Sequence, residues 1–186
     1  MHLSSLRLKL AALLVLACSM LAGPATGAAS AASCDDANAY PGDATRQQLS
    51  RATVCLLNKQ RTSRGLHELK LNPRLSWAAR AHSQDMVEKR YFDHFSKAGK
   101  DVVDRLTHTG YLGDARTWVV GENLAWGSGE RSTPRQIIGA WMHSAGHRQN
   151  ILTSRFREIG IGVVFETPTS VAARGATYTT TFGARG

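Results

Sequence analysis

The chain has 186 residues, 42% of them apolar, with 23 lysines and arginines against 14 acids for a net charge of +9. That length supports one domain with a core that needs no array of disulfides or metals to hold it. The basic excess favours anionic material such as cell-envelope polymers or lipid headgroups. No RNP, helix-turn-helix or zinc-finger signature accompanies it, so a specific nucleic-acid binder of those classes is excluded.

The first 29 residues read as a secretory signal. Arg7 and Lys9 supply a basic start, residues 10–21 are almost wholly apolar, and small residues follow up to a cleavage point after Ala29 or Ala31. The apolar run is too short for a transmembrane span, which needs about 20 residues. The reading is therefore a secreted or periplasmic protein and a monomer. A lipoprotein anchored at Cys18 is the alternative, although the leucine at position 16 suits such a site poorly. Removing the leader takes Cys18 with it and leaves Cys34 and Cys55, an even pair that in an exported protein implies one disulfide. Cysteine catalysis is correspondingly disfavoured.

Residues 30–45 form a small, polar arm tied down by Cys34, and residues 46–186 form the domain proper. A helix begins near Thr45, with Leu49, Ala52, Leu56 and Gln60 at helical spacing, and Gly65 stops it. Asn72-Pro73 starts a second helix as N-cap and first-turn proline, with Leu75, Ala78, Ala79, His82 and Met86 on one face. A third runs from Asp101 to Gly110, and Thr133-Pro134 opens a fourth that buries Ile137, Ile138 and Trp141. Gly146 is expected to end it.

The period then changes to two. Residues 158–165 and the alternation at Tyr178, Thr180 and Phe182 predict an antiparallel hairpin, and Trp118 to Val120 predicts a weaker third strand. Helices covering a small antiparallel sheet give an α+β sandwich.

Polar side chains at the ends of these elements are the candidates for chemistry. His94, Glu122 and His147 are a donor set that suits zinc with one position left open. His82 falls on a buried helix face and reads as a hydrogen-bonded core residue. His143 stands four residues before His147, a chelating spacing only if the helix is continuous between them. His67 and His108 carry no signal. Arginines 131, 135, 148, 155 and 157 make a basic segment suited to phosphate or carboxylate groups, or simply to a solvated rim.

Leu57-Asn58, Arg61, Gly65-Leu66, Ala81-His82-Ser83 with Met86, His94, Arg105, Gly110-Tyr111, Gly121-Glu122-Asn123, Trp141, Gly146-His147-Arg148 and Ile159-Gly160-Ile161-Gly162 occur in that order. Taken together, over residues 46–183, they resemble the bacterial branch of the CAP superfamily (cysteine-rich secretory, antigen 5 and pathogenesis-related-1 proteins, also called SCP-like extracellular proteins). The resemblance implies a three-layer α-β-α sandwich and a cleft of two histidines and two glutamates. His94, Glu122 and His147 match three of these. Ser144 stands where the second glutamate belongs, and residues 131–157 contain no acid to replace it. Zinc binding is accordingly expected to be weak. Relatives associated with sterols and fatty acids imply a small molecule or lipid as ligand. The functional expectation is an exported, non-catalytic binding module. One alternative is a zinc-dependent hydrolase with Glu122 as general base, against which stand the absent HExxH and GxSxG motifs. Another is a basic module that contacts an anionic cell-envelope polymer.

Overall fold

A computed structural model describes residues 33–169 and 173–186. The expected leader with its expected cleavage point, and Cys18, lie outside the described residues. The order of elements is α1 (Arg46–Thr62), β1 (Lys70–Leu71), α2 (Pro73–Glu88), α3 (Val102–His108), β2 (Trp118–Gly127), a 3-10 turn (Gly129–Ser132), α4 (Pro134–His143), α5 (Ala145–Leu152), β3 (Glu158–Phe165) and β4 (Ala176–Arg185).

The expected start and stop signals work as their chemistry requires. Thr45 caps α1 in a reciprocal box with Gln48, Asn72 accepts from the N–H groups of Arg74 and Leu75, and the Thr133 side chain accepts from Gln136 N–H. Each satisfies donors that the first helical turn leaves unpaired. Gly65 and Gly110 take φ values of 73° and 69°, the left-handed region that a terminating glycine tolerates without cost.

The sheet order is β1-β3-β4-β2. The β2, β3 and β4 strands pair antiparallel as expected, and the short β1 adds a parallel pairing, Lys70 with Glu158 and Leu71 with Ile159, so the sheet is mixed. The third strand is also longer than expected, running on through Gly121, Glu122 and Asn123 to Gly127 and pairing with β4 along its whole length.

Strand alternation builds the two cores. Ile159, Ile161 and Val163 turn to one face, where with Tyr178 and Phe182 they meet Leu49 and Leu57 of α1, Ile137 and Trp141 of α4, and Ile151 of α5. On the other face the alternating positions are Gly160 and Gly162. A Cβ at either would overlap the main chain of α2, at Leu75 and Ser76 or at Ala79 and Arg80. The glycines thus let α2 lie directly on β3. A second cluster, Leu75, Ala78, Leu106, Tyr111 and Leu112, closes that side together with α3. This is the three-layer α-β-α arrangement.

The end of α4 departs from the sequence reading as well. Gly146 does not end α4; it lies in the first turn of a separate helix, α5. Ser144, with φ −100° and ψ 124°, is at once the last cap of α4 and the first of α5. The break therefore falls two residues earlier than expected.

Two attachments hold α5 and the N-terminal arm in place. Arg61 is fully buried with no carboxylate partner among the described residues, and its guanidinium donates to the carbonyls of His67, Ile151 and Thr153 at 2.7–3.0 Å. Two of those carbonyls belong to the C-terminal end of α5, where a helix carries partial negative charge. Cys34 and Cys55 are disulfide-bonded, as expected, at a sequence separation of 21 and with 5.7 Å between their Cα atoms. Arg135 completes the docking of the arm through its N–H to Ala37 O and its Nε to Asn38 Oδ1.

Candidate functional site: a carboxylate clamped between arginine and histidine

Glu122 sits mid-strand on β2, and its side chain is only 3% exposed. A carboxylate so deep needs partners on both oxygens. Arg105 of α3 donates through Nη2 to Oε2 at 2.7 Å, and His94 Nδ1 lies 2.9 Å from Oε1. The His94 side chain is 53% exposed, so the ring joins the buried carboxylate to solvent.

The loop that carries His94 is pinned from two directions. Arg105 Nη2 also donates to His94 O at 3.1 Å. The buried His82 on α2 donates from Nε2 to Asp93 O at 2.9 Å. That bond places the His82 proton on Nε2 and leaves Nδ1 buried and without a partner among the described residues. Burial lowers the His82 pKa and outweighs the raising effect of Glu122, 4.0 Å away. His82 is therefore a neutral brace, matching its reading as a hydrogen-bonded core residue.

His147 enters from α5. Asn123 Nδ2 donates to His147 O at 3.1 Å, and Asn150 Nδ2 donates to Glu122 O at 3.0 Å and to Asn123 Oδ1 at 2.8 Å. These amides fasten the start of α5 to the strand residues of the Gly-Glu-Asn stretch. The two imidazoles then titrate in opposite directions. The hydrogen bond to Glu122 raises the His94 pKa, whereas burial and then the charge on His94 lower that of His147.

The structure thus joins His94 and Glu122 directly and brings His147 within electrostatic reach of His94. Ser144 makes no side-chain cap for α5. His143 turns back on its own helix, with Nδ1 donating to Gly139 O at 2.8 Å, and the helix break separates it from His147. Among the described residues, no three His, Cys, Asp or Glu side chains stand together as a metal would require. The donor set does not fit zinc as arranged, since one oxygen of Glu122 serves Arg105 and the other His94. No reaction step through a metal follows from this geometry.

Arg105 is the partner of Glu122 that spacing could not assign. It lies 17 residues from Glu122 on a seven-residue helix, and neither helical period nor strand alternation links the two. Asn150 escaped for the same reason, 28 residues from the main chain it holds.

The comparisons with known proteins agree with this architecture. Residues 54–181 match the model of the CAP group, described as the cysteine-rich secretory protein family. The YkwD protein of Bacillus subtilis is 41% identical over 114 residues, which are 61% of this chain and 42% of that protein. The membrane protein YlbC of the same organism is 34% identical over 108 residues, 58% of this chain and 29% of its own. This chain therefore spans well under half the length of either curated relative.

Among solved structures, an extracellular protein containing an SCP domain from Bacillus anthracis aligns with a TM-score of 0.56 at 25% identity. The alignment covers 75% of this chain and 43% of that one. An outer surface protein from Borrelia burgdorferi aligns with a TM-score of 0.63 at 17% identity, over 77% of this chain and 97% of its own, a likeness of fold. With its three layers, its Gly-Glu-Asn strand and a family match over most of its length, the chain belongs to the CAP (cysteine-rich secretory protein) family.

Proposed function

We propose that the protein acts outside the cytoplasm as a ligand-binding module without catalytic turnover, and that its recognition site is the cleft of His94, Glu122 and His147. The leader-like N-terminus, the Cys34–Cys55 bond and the extracellular description of the Bacillus anthracis relative support the location. The observation that carries the non-catalytic reading is the clamp on Glu122. A general base needs an oxygen aimed at the proton it removes. Here each oxygen is already engaged, one by Arg105 and one by His94, and the side chain is only 3% exposed, so neither is aimed at a substrate. What the cleft offers instead is the exposed ring of His94 beside the half-buried His147, a hydrogen-bonding surface for a small molecule or the polar end of a lipid.

The test is unbiased mass spectrometry of small molecules that co-purify with the exported protein and with its His94→Ala variant. A species retained by the wild type and lost from the variant supports the reading. Ester, amide or glycoside turnover that Glu122→Gln abolishes would replace it with the hydrolase.

A second reading, contact with an anionic cell-envelope polymer, is favoured by a hollow of about 530 Å³ between α1, α4 and α5. Arg64, Arg135 and Arg148 line it and no acid does. Binding to such a polymer should weaken steeply as salt rises, because the exposed arginines are screened.

A further inference from the structure

The outer edge of the sheet carries a site that shares no residue with the cleft. The β3 strand is covered there only in its first two residues, by β1. Lys70 and Asn72 N–H groups donate to the carbonyls of Arg157 and Ile159 at 3.0 and 2.9 Å. A strand turns the polar groups of successive residues to opposite sides, so Ile161, Val163 and Phe165 present theirs on the same side as Ile159, past the end of β1. Among the described residues, nothing bonds to them there. Ile161 and Val163 are only 5% and 2% exposed, which places these N–H and C=O groups at the floor of a groove rather than in open water. Buried, unpaired main-chain groups are rare and costly, and an incoming strand would satisfy them.

The groove, about 590 Å³, runs between α1 and α2. Arg46 and Arg51 stand on one wall, Trp77 and Arg80 on the other, and no Asp or Glu lines it. The three arginines form no ion pair among the described residues, whereas Arg90, Arg105, Arg174 and Arg185 each do. Arg46 lies over the Phe165 ring, 5.1 Å from its centroid, at the far end of the open edge. Trp77 is 45% exposed and Leu71, at the near end, 53%. Main chain for pairing, apolar surface for alternate side chains and an uncompensated positive rim are the ingredients of strand addition by a negatively charged peptide.

We propose that the β3 edge between α1 and α2 binds an acidic, extended segment of another protein as an added strand beside residues 161–165. The first 32 residues of this chain are a poor occupant, since they carry Arg7 and Lys9 and no acid. A second copy would bring its own three arginines against these, a like-charge contact that opposes edge-to-edge pairing.

The test uses the exported protein and three dye-labelled heptapeptides. The first alternates aspartate and valine, the second alternates lysine and valine, and the third is the aspartate peptide N-methylated at every residue, so that neither edge can donate. The aspartate peptide should bind, with the Ile161 and Val163 amide signals shifting and their exchange slowing. The lysine and N-methylated peptides should each bind at least about tenfold more weakly, and Arg51→Glu and Arg80→Glu should each weaken the aspartate peptide about fivefold or more. No binding of the aspartate peptide overturns the proposal. Undiminished binding of the N-methylated peptide also does, since charge alone would then suffice. A concentration-dependent dimer that protects the same amides without peptide would assign the edge to a second copy instead.

Discussion

Arg61 and Glu122 are both charged and both buried, yet the protein treats them differently. Arg61 is 0% exposed and among the described residues is met by main-chain carbonyls alone, from the loop after α1 and the end of α5, with Nη2 left over. Its charge is absorbed by the fold, and nothing about it reaches solvent. Glu122 is met by side chains, and one of them, His94, is half in water. The first arrangement fastens one element to another. The second carries a buried charge to the surface through a titratable ring, which a ligand can touch. Burial of a charge is therefore no mark of a site by itself; what separates the two is whether its partners lead outward.

That contrast can be broken most severely at Arg61. Arg61→Ala empties a fully buried space and orphans three carbonyls, so it should cost about 5 kcal/mol and leave little folded protein. Denaturant unfolding of a purified variant at less than about 1 kcal/mol below wild type would contradict the clamp. Trp141→Ala should follow at ~3–5 kcal/mol, the range for emptying a buried aromatic site. Trp141 is 1% exposed and its Nε1 donates to Leu124 O at 2.9 Å, so the loss includes an orphaned acceptor. Glu122→Gln keeps the shape but removes the charge from Arg105 and His94, and should cost only ~2 kcal/mol. If it cost as much as Arg61→Ala, Glu122 would be a second structural clamp rather than a site residue.

The smallest effect is the pH dependence, and it has two opposing parts. The His94 pKa is raised in the fold, so its contribution to stability is fully present below the unfolded value of about 6.5 and fades as pH rises through the folded value. The pKa values of His82 and His147 are lowered, so theirs is present above about 6.5 and fades as pH falls toward the folded values. Glu122→Gln removes the cause of the first and leaves burial, the main cause of the second. The wild type should therefore lose less stability than Glu122→Gln between pH 7.5 and 5.5, as measured by urea unfolding at each pH.

Much of the fold is legible in the sequence because its signals are local. Asn72-Pro73 and Thr133-Pro134 mark helix starts through groups within one turn, and the alternation from Ile159 to Phe165 needs no knowledge of what lies opposite. The elements that escape lack such signals. The two residues of β1 are too short to alternate. The α5 helix begins Ala-Gly-His-Arg with no side-chain cap, so Gly146 resembles an end rather than part of a first turn. The site divides along the same line. His94, Glu122 and His147 are legible only through resemblance, since nothing in their spacing joins them. Arg105, which decides what Glu122 can do, is joined to it only by the packing of α3 against β2. A zinc set inferred from donor types alone could not include the guanidinium that competes for the carboxylate.

The cleft carboxylate is held by His94 and Arg105, and His147 is its neutral neighbour. Proton NMR titration of the imidazole signals in the wild type and in Glu122→Gln tests it most directly. His94 should titrate above about 6.5 in the wild type and His147 below it, and Glu122→Gln should bring His94 down while a less charged His94 lets His147 rise. A His94 titration that Glu122→Gln leaves unmoved would contradict the clamp.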